Sequence, residues 1–111
     1  MSLEQFNEAL ECFDQACKLD PTHLDSLVNR AFALSRCEKY GDALLAYDKI
    51  LALAPNDVGA WNGKAVTLYA MGRFKNACEA CERALAADPT SQASADLLQT
   101  CKSALRKSVL L

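Results

Sequence analysis

Cys78 and Cys81 form a Cys-x-x-Cys pair, the sharpest chemical signal in the 111-residue chain. Spaced three apart on a helix, both thiols reach the same side. Two thiolates on one side could enter a metal site, but a structural zinc site needs four ligands. The only histidine is His23, no second Cys-x-x-Cys exists, and Cys101 would bring the set to three. A redox pair of the thioredoxin kind opens a helix after a strand, whereas this pair falls inside a helical pattern. The expectation is therefore packing: reduced, mostly buried thiols, with no metal and no cofactor. All six cysteines fall within helical patterns beside Ala and Leu, where free Cys packs as a small hydrophobe. No secretory signal argues for disulfides.

The remaining polar residues offer less. His23 falls at an expected helix start without a catalytic partner in sequence and reads as an exposed first-turn residue. No Gly-rich phosphate loop and no Gly-x-Ser-x-Gly elbow occurs. The chain is not expected to be an enzyme, and no catalytic residue is assigned. Its net charge is −2, with acids and bases spread along the chain. Nucleic-acid binding needs a basic stripe, and the cluster from Lys102 to Lys107 reads as a solvated helix face. No apolar run approaches the roughly 20 residues that span a bilayer. Glu4 and Glu8 stand where a signal peptide would need an apolar stretch. A cytoplasmic protein with neither a membrane nor a nucleic acid as partner is expected.

The elements that position these residues follow from a repeat. Half of the chain is apolar, and much of that is Ala and Leu, which favour helix. Pro21, Pro55 and Pro89 are each 34 apart. Ala9, Ala43 and Ala77 keep the same step, as do Phe6, Tyr40 and Phe74, and Phe13, Tyr47 and Cys81. Each proline ends one helix, and Thr22, Asn56 or Thr90 after it is expected to cap the next. Thr22 with Asp25 resembles a capping box, and Gly41 and Gly72 are expected to mark the turn inside each repeat. The spacing predicts an all-α chain of six helices, near 3–18, 23–37, 41–53, 57–71, 75–87 and 91–107. Ala31 with Ala43, and Ala65 with Ala77, are the small residues that let paired helices approach closely.

The period and the Trp61, Ala65, Leu68, Gly72, Phe74, Ala77, Ala84, Pro89 spacing resemble the tetratricopeptide repeat. That resemblance implies a right-handed α-solenoid of antiparallel helix pairs. Within a single domain over 1–111, residues 24–57 and 58–91 match complete repeats. Residues 1–23 match only a second helix, and 92–111 look like a capping helix. It also implies a protein-interaction scaffold that holds a partner's peptide or helix in a concave groove. Carried over by position, the groove residues are Asp25, Val28, Asn29, Phe32 and Arg36, then Asn62, Val66 and Tyr69. Asn29 matches one asparagine of the chaperone-tail clamp of some members, but Val28, Gly59 and Asn62 stand where cations would help. Asn29 also fits the asparagine ladder of O-linked sugar transferases, which Gly63 breaks. A piece of a larger repeat protein of that kind is one alternative. The other is a small self-associating domain. A homodimer is expected through the apolar N-terminal face of Phe6, Ala9, Leu10 and Phe13, while Asp96, Gln99, Lys102, Ser103 and Arg106 give the last helix a polar side.

Overall fold

The computed structural model describes residues 3–110. Met1, Ser2 and Leu111, which close the 1–111 range read from the sequence, lie outside the described residues. Six helices run in order: α1 (Leu3–Leu19), α2 (Leu24–Arg36), α3 (Tyr40–Leu53), α4 (Val58–Ala70), α5 (Phe74–Ala87) and α6 (Gln92–Leu110). No strand occurs among the described residues. The expected boundaries hold to within a few residues, and α6 runs three residues past the expected end at 107. The helices fall into two compact units, Met1–Pro55 and Asn56–Leu111.

The helix starts lie one residue later than the proline setting suggested. His23 caps α2, with Nδ1 accepting from the Ser26 backbone N–H at 3.3 Å. Asp57 caps α4, accepting from Ala60 N–H at 3.0 Å. Ser91 holds the Ser94 N–H at 3.2 Å at the start of α6. Thr22 and Thr90 are not caps because Asp20 and Asp88 hold them in the turn before the helix. Each donates its N–H and its hydroxyl to the carboxylate two residues back, Thr22 to Asp20 and Thr90 to Asp88. These side-chain turns close the loop, and the cap passes to the following residue. The Thr22–Asp25 capping box therefore does not form, and the residue paired with the cap is Ser26.

The turns inside the repeats are also placed differently. Lys39 N–H bonds to Leu34 C=O and Glu38 N–H to Ser35 C=O. The same pair recurs from Arg73 to Leu68 and from Gly72 to Tyr69. This double bond pattern requires a left-handed residue just past the helix end. That residue is Gly72, at φ 77°, and Glu38, at φ 64°. Gly41 lies inside the first turn of α3 instead. Glu38, not Gly41, holds the position 34 residues before Gly72.

Within the first unit α1 packs on α2 and α2 on α3; within the second, α4 packs on α5, and α6 on both. The tight turns make α2/α3 and α4/α5 antiparallel pairs. The small residues at the pair positions are all sealed, with Ala31, Ala43, Ala65 and Ala77 each 0% exposed. Around them sit Leu34, Tyr47 and Ile50 in the first unit and Leu68, Cys81, Ala84 and Leu98 in the second. Full burial of a Leu or Ile side chain contributes about 1.5–3 kcal/mol, and that burial, more than helix propensity, holds helices of this length.

Candidate interaction faces

The cysteines are packing residues of graded depth. Cys78, Cys81 and Cys101 are buried, Cys17 and Cys37 are half-buried, and Cys12 is exposed, all as free thiols. Burial of most of the six was expected; only the three in the second unit are enclosed, because α1 and the end of α2 leave their thiols nearer the surface. Burial, then the neighbouring Cys101, pushes the Cys81 thiol up to about 12. Burial also raises Cys78, Cys101 and Cys17. Such thiols stay protonated and poorly nucleophilic. Cys81 and Cys101 are neighbours across the α5–α6 contact. Cys37 donates to Asn7 Oδ1 at 3.2 Å. No group of three or more His, Cys, Asp or Glu among the described residues could hold a metal ion, so Cys78, Cys81 and Cys101 do not assemble a site.

The first unit presents five of the groove residues named from the resemblance on one side of α2. Asp25, Asn29 and Arg36 are exposed and Val28 is half-buried. Phe32 is 49% exposed. Its ring meets Phe6 edge-on, with centroids 6.4 Å apart, and the Arg36 guanidinium lies 5.3 Å over the same Phe6 ring. Phe6 is thereby engaged inside its own unit. Leu10 is buried, and Ala9 and Phe13 are half-buried. Asp14 pairs with Arg30 nearby, a contact the sequence spacing did not reveal.

The second unit presents the other three along α4. Val66 is 42% and Tyr69 38% exposed, and Tyr69 leans on Phe74 at a centroid distance of 5.4 Å. Asn62 is half-buried, and its Oδ1 accepts from the buried Ser94 hydroxyl at 2.8 Å. That bond fixes the orientation of the amide. Sequence reasoning missed Ser94, and the only hint was its place three residues after the Ser91 cap. Trp61 was read as a repeat marker; Lys64 lies 5.6 Å and Arg83 5.1 Å from its ring centroid, as cation–π partners.

Chemically, these two helix faces combine large apolar side chains with amides and one guanidinium. They hold no paired acid and base and no nucleophile beside a base. No helix among the described residues is long and apolar enough to cross a membrane.

Comparison with known proteins agrees with the repeat. A tetratricopeptide repeat family model matches residues 33–92, and a second tetratricopeptide repeat model matches 12–44. The chain belongs to the tetratricopeptide repeat family. No curated protein matches the sequence. Among solved structures, the first TPR domain of Spaghetti (RPAP3), bound to the HSP90 peptide SRMEEVD, aligns with TM-score 0.83 at 23% identity, covering 93% of this chain and 82% of that one. The Sgt2 TPR domain from Aspergillus fumigatus aligns with TM-score 0.88 at 24% identity, covering 97% and 73%. The TPR2B domain of yeast Sti1, in complex with pHsp70, aligns with TM-score 0.82 at 21% identity, covering 94% and 86%. At these identities the likeness is one of fold.

Proposed function

We propose that the chain is a protein-interaction module that binds an extended peptide of a partner protein on the exposed faces of α2 and α4. The observation that carries this reading is the exposure of Phe32, Val66 and Tyr69 on those faces. Phe32 and Val66 hold the same place in successive repeats, 34 residues apart. Exposed aromatic and branched side chains beside amides and one arginine are the composition of binding hot spots. Asn29 and the oriented Asn62 supply donors and acceptors for a peptide backbone. Two related folds, those of RPAP3 and Sti1, are solved with chaperone-derived ligands, which supports peptide binding as the use of this architecture.

The ligand class differs from an acidic chaperone tail. The α4 face carries no cation among its three residues, and on α2 Arg36 is balanced by Asp25. A peptide with apolar anchors and little net charge fits better. The test is selection of binders from a displayed random-peptide library, followed by titration calorimetry with the best peptide. Phe32→Ala and Tyr69→Ala should each weaken that peptide by about tenfold or more, with melting temperatures near that of the unmodified chain. Unchanged affinity in both variants would place the binding elsewhere.

A further inference from the structure

One hollow in the first unit gathers cations that the rest of the unit lacks. It has a volume of about 570 Å³ and is lined by Asp14, Cys17, Lys18, Pro21, Arg30 and Lys49. The cations come from three helices: Lys18 from α1, Arg30 from α2 and Lys49 from α3. Asp14, Cys17 and Lys18 are three and four residues apart, so α1 presents them on one face. Residues 1–55 carry nine acids and only five cations, namely Lys18, Arg30, Arg36, Lys39 and Lys49. Three of those five line this one hollow, against a single acid. An even scatter of charge over so acidic a unit would line it with more acids than cations.

That acid is already engaged. Asp14 accepts from Arg30 Nε, so the pair is balanced and the guanidinium keeps its Nη edge for a second acceptor. Lys18 and Lys49 are exposed and make no ion pair among the described residues. Two positive charges are thus left at the rim. The residue types of the Asp14–Arg30 pair recur 34 residues on as Asp48 and Lys64. Lys18 does not recur, since Ala52 and Ala86 hold its place. A cation also suits the last turn of a helix, but α3 and α5 carry none in theirs. Lys18 therefore belongs to this hollow rather than to the repeat.

We infer that the hollow binds a phosphate monoester, seated between Lys18, Lys49 and the Nη edge of Arg30. Such a group carries about −1.5 to −2 charge at neutral pH. That matches the two unpaired lysines, whereas one carboxylate leaves half of their charge unmet. The guanidinium fork suits phosphate oxygens, and the lysines act as point charges beside it. The hollow is larger than a phosphate group and falls within the roughly 300–1,000 Å³ of small-ligand sites. Pro21 and the half-buried Cys17 supply a less polar wall for whatever carries the phosphate. The two sources of this chemistry are the free phosphate ion and a phosphorylated side chain of a partner protein. Arg30 projects from the side of α2 away from Asp25, Asn29, Phe32 and Arg36, so the site stands independently of the peptide-binding reading.

NMR titration of the isotope-labelled chain at constant ionic strength tests it with two probes, inorganic phosphate and N-acetyl-phosphoserine amide. The amide signals of Cys17, Lys18, Arg30 and Lys49 should shift and saturate, while N-acetyl-serine amide should leave them in place. Lys18→Gln and Lys49→Gln should each weaken binding about fivefold or more. Lys39→Gln removes an exposed cation of the same unit that does not line the hollow, and it should leave the affinity unchanged. All three variants should keep their helical circular dichroism. Tighter binding of the phosphoserine amide identifies a phosphorylated side chain as the ligand, and equal or weaker binding identifies free phosphate. No saturable shift with either probe, shifts centred outside the hollow, or equal weakening by Lys39→Gln would each overturn the inference.

Discussion

Glu38 and Gly72 occupy the same turn position in successive repeats, at φ 64° and 77°. The helix ends before them make the same pair of backbone bonds, so the fold demands a left-handed residue at both. Glycine adopts that region freely, whereas a side chain there costs about 1–2 kcal/mol. Glu38→Gly should therefore raise stability by about 1 kcal/mol, read as a shift of the urea midpoint, because Glu38 is exposed and its side chain gives up no packing. A second residue-scale consequence concerns pH. The Cys81 thiol rises from 9.0 to about 12 and the Tyr47 hydroxyl from 10.0 to about 12, both through burial first. The unfolded chain releases these protons at lower pH than the folded one. Their contribution is fully present below pH 9 and is lost as pH rises through about 12. With thiols kept reduced, the urea midpoint should fall across that interval, and Cys81→Ala/Tyr47→Phe should flatten the fall. A midpoint equally steep in the double variant would show that other groups govern it.

Among the elements, close helix approach depends on Ala31, Ala43, Ala65 and Ala77, all 0% exposed. Ala65→Leu adds three carbons where α4 meets α5, and overpacking of this kind costs about 1–3 kcal/mol. Lys64→Leu, one residue away, changes a half-buried side chain whose ammonium lies 5.6 Å from the Trp61 ring centroid. Its stem already covers apolar surface, so the thermal shift should be the smaller of the two; equal shifts would contradict the close-approach role of Ala65. The helices and their pairing were legible because prolines and small residues recur at a fixed step. The caps were not, because the choice between Thr22 and His23, or Thr90 and Ser91, turns on the side-chain turns that Asp20 and Asp88 close on the threonines. The left-handed turn at Glu38 was hidden by Gly41, three residues on, although the step back from Gly72 points to residue 38. The binding faces were legible only as positions on helices. That Asn62 is oriented by Ser94, and that Arg36 lies over Phe6, depends on contacts between helices that the periodicity does not specify.

For the molecule as a whole, each unit carries a proposed peptide-binding face on its first complete helix pair: Phe32 on α2 and Val66 with Tyr69 on α4. Binding of a partner peptide on these faces is the central claim, and it separates this chain from a structural spacer, whose exposed residues would have no ligand. The charged positions Asp25 and Arg36 are exposed, and exposed charges act more on association rate than on affinity. Affinity should rest on the apolar and amide positions. The most direct measurement is amide chemical-shift mapping by NMR as the library-selected peptide is added to the isotope-labelled chain. The expected result is that the largest shifts cluster at Asn29, Phe32 and Arg36 on α2 and at Asn62, Val66 and Tyr69 on α4. Shifts confined to α3 and α5 would contradict it.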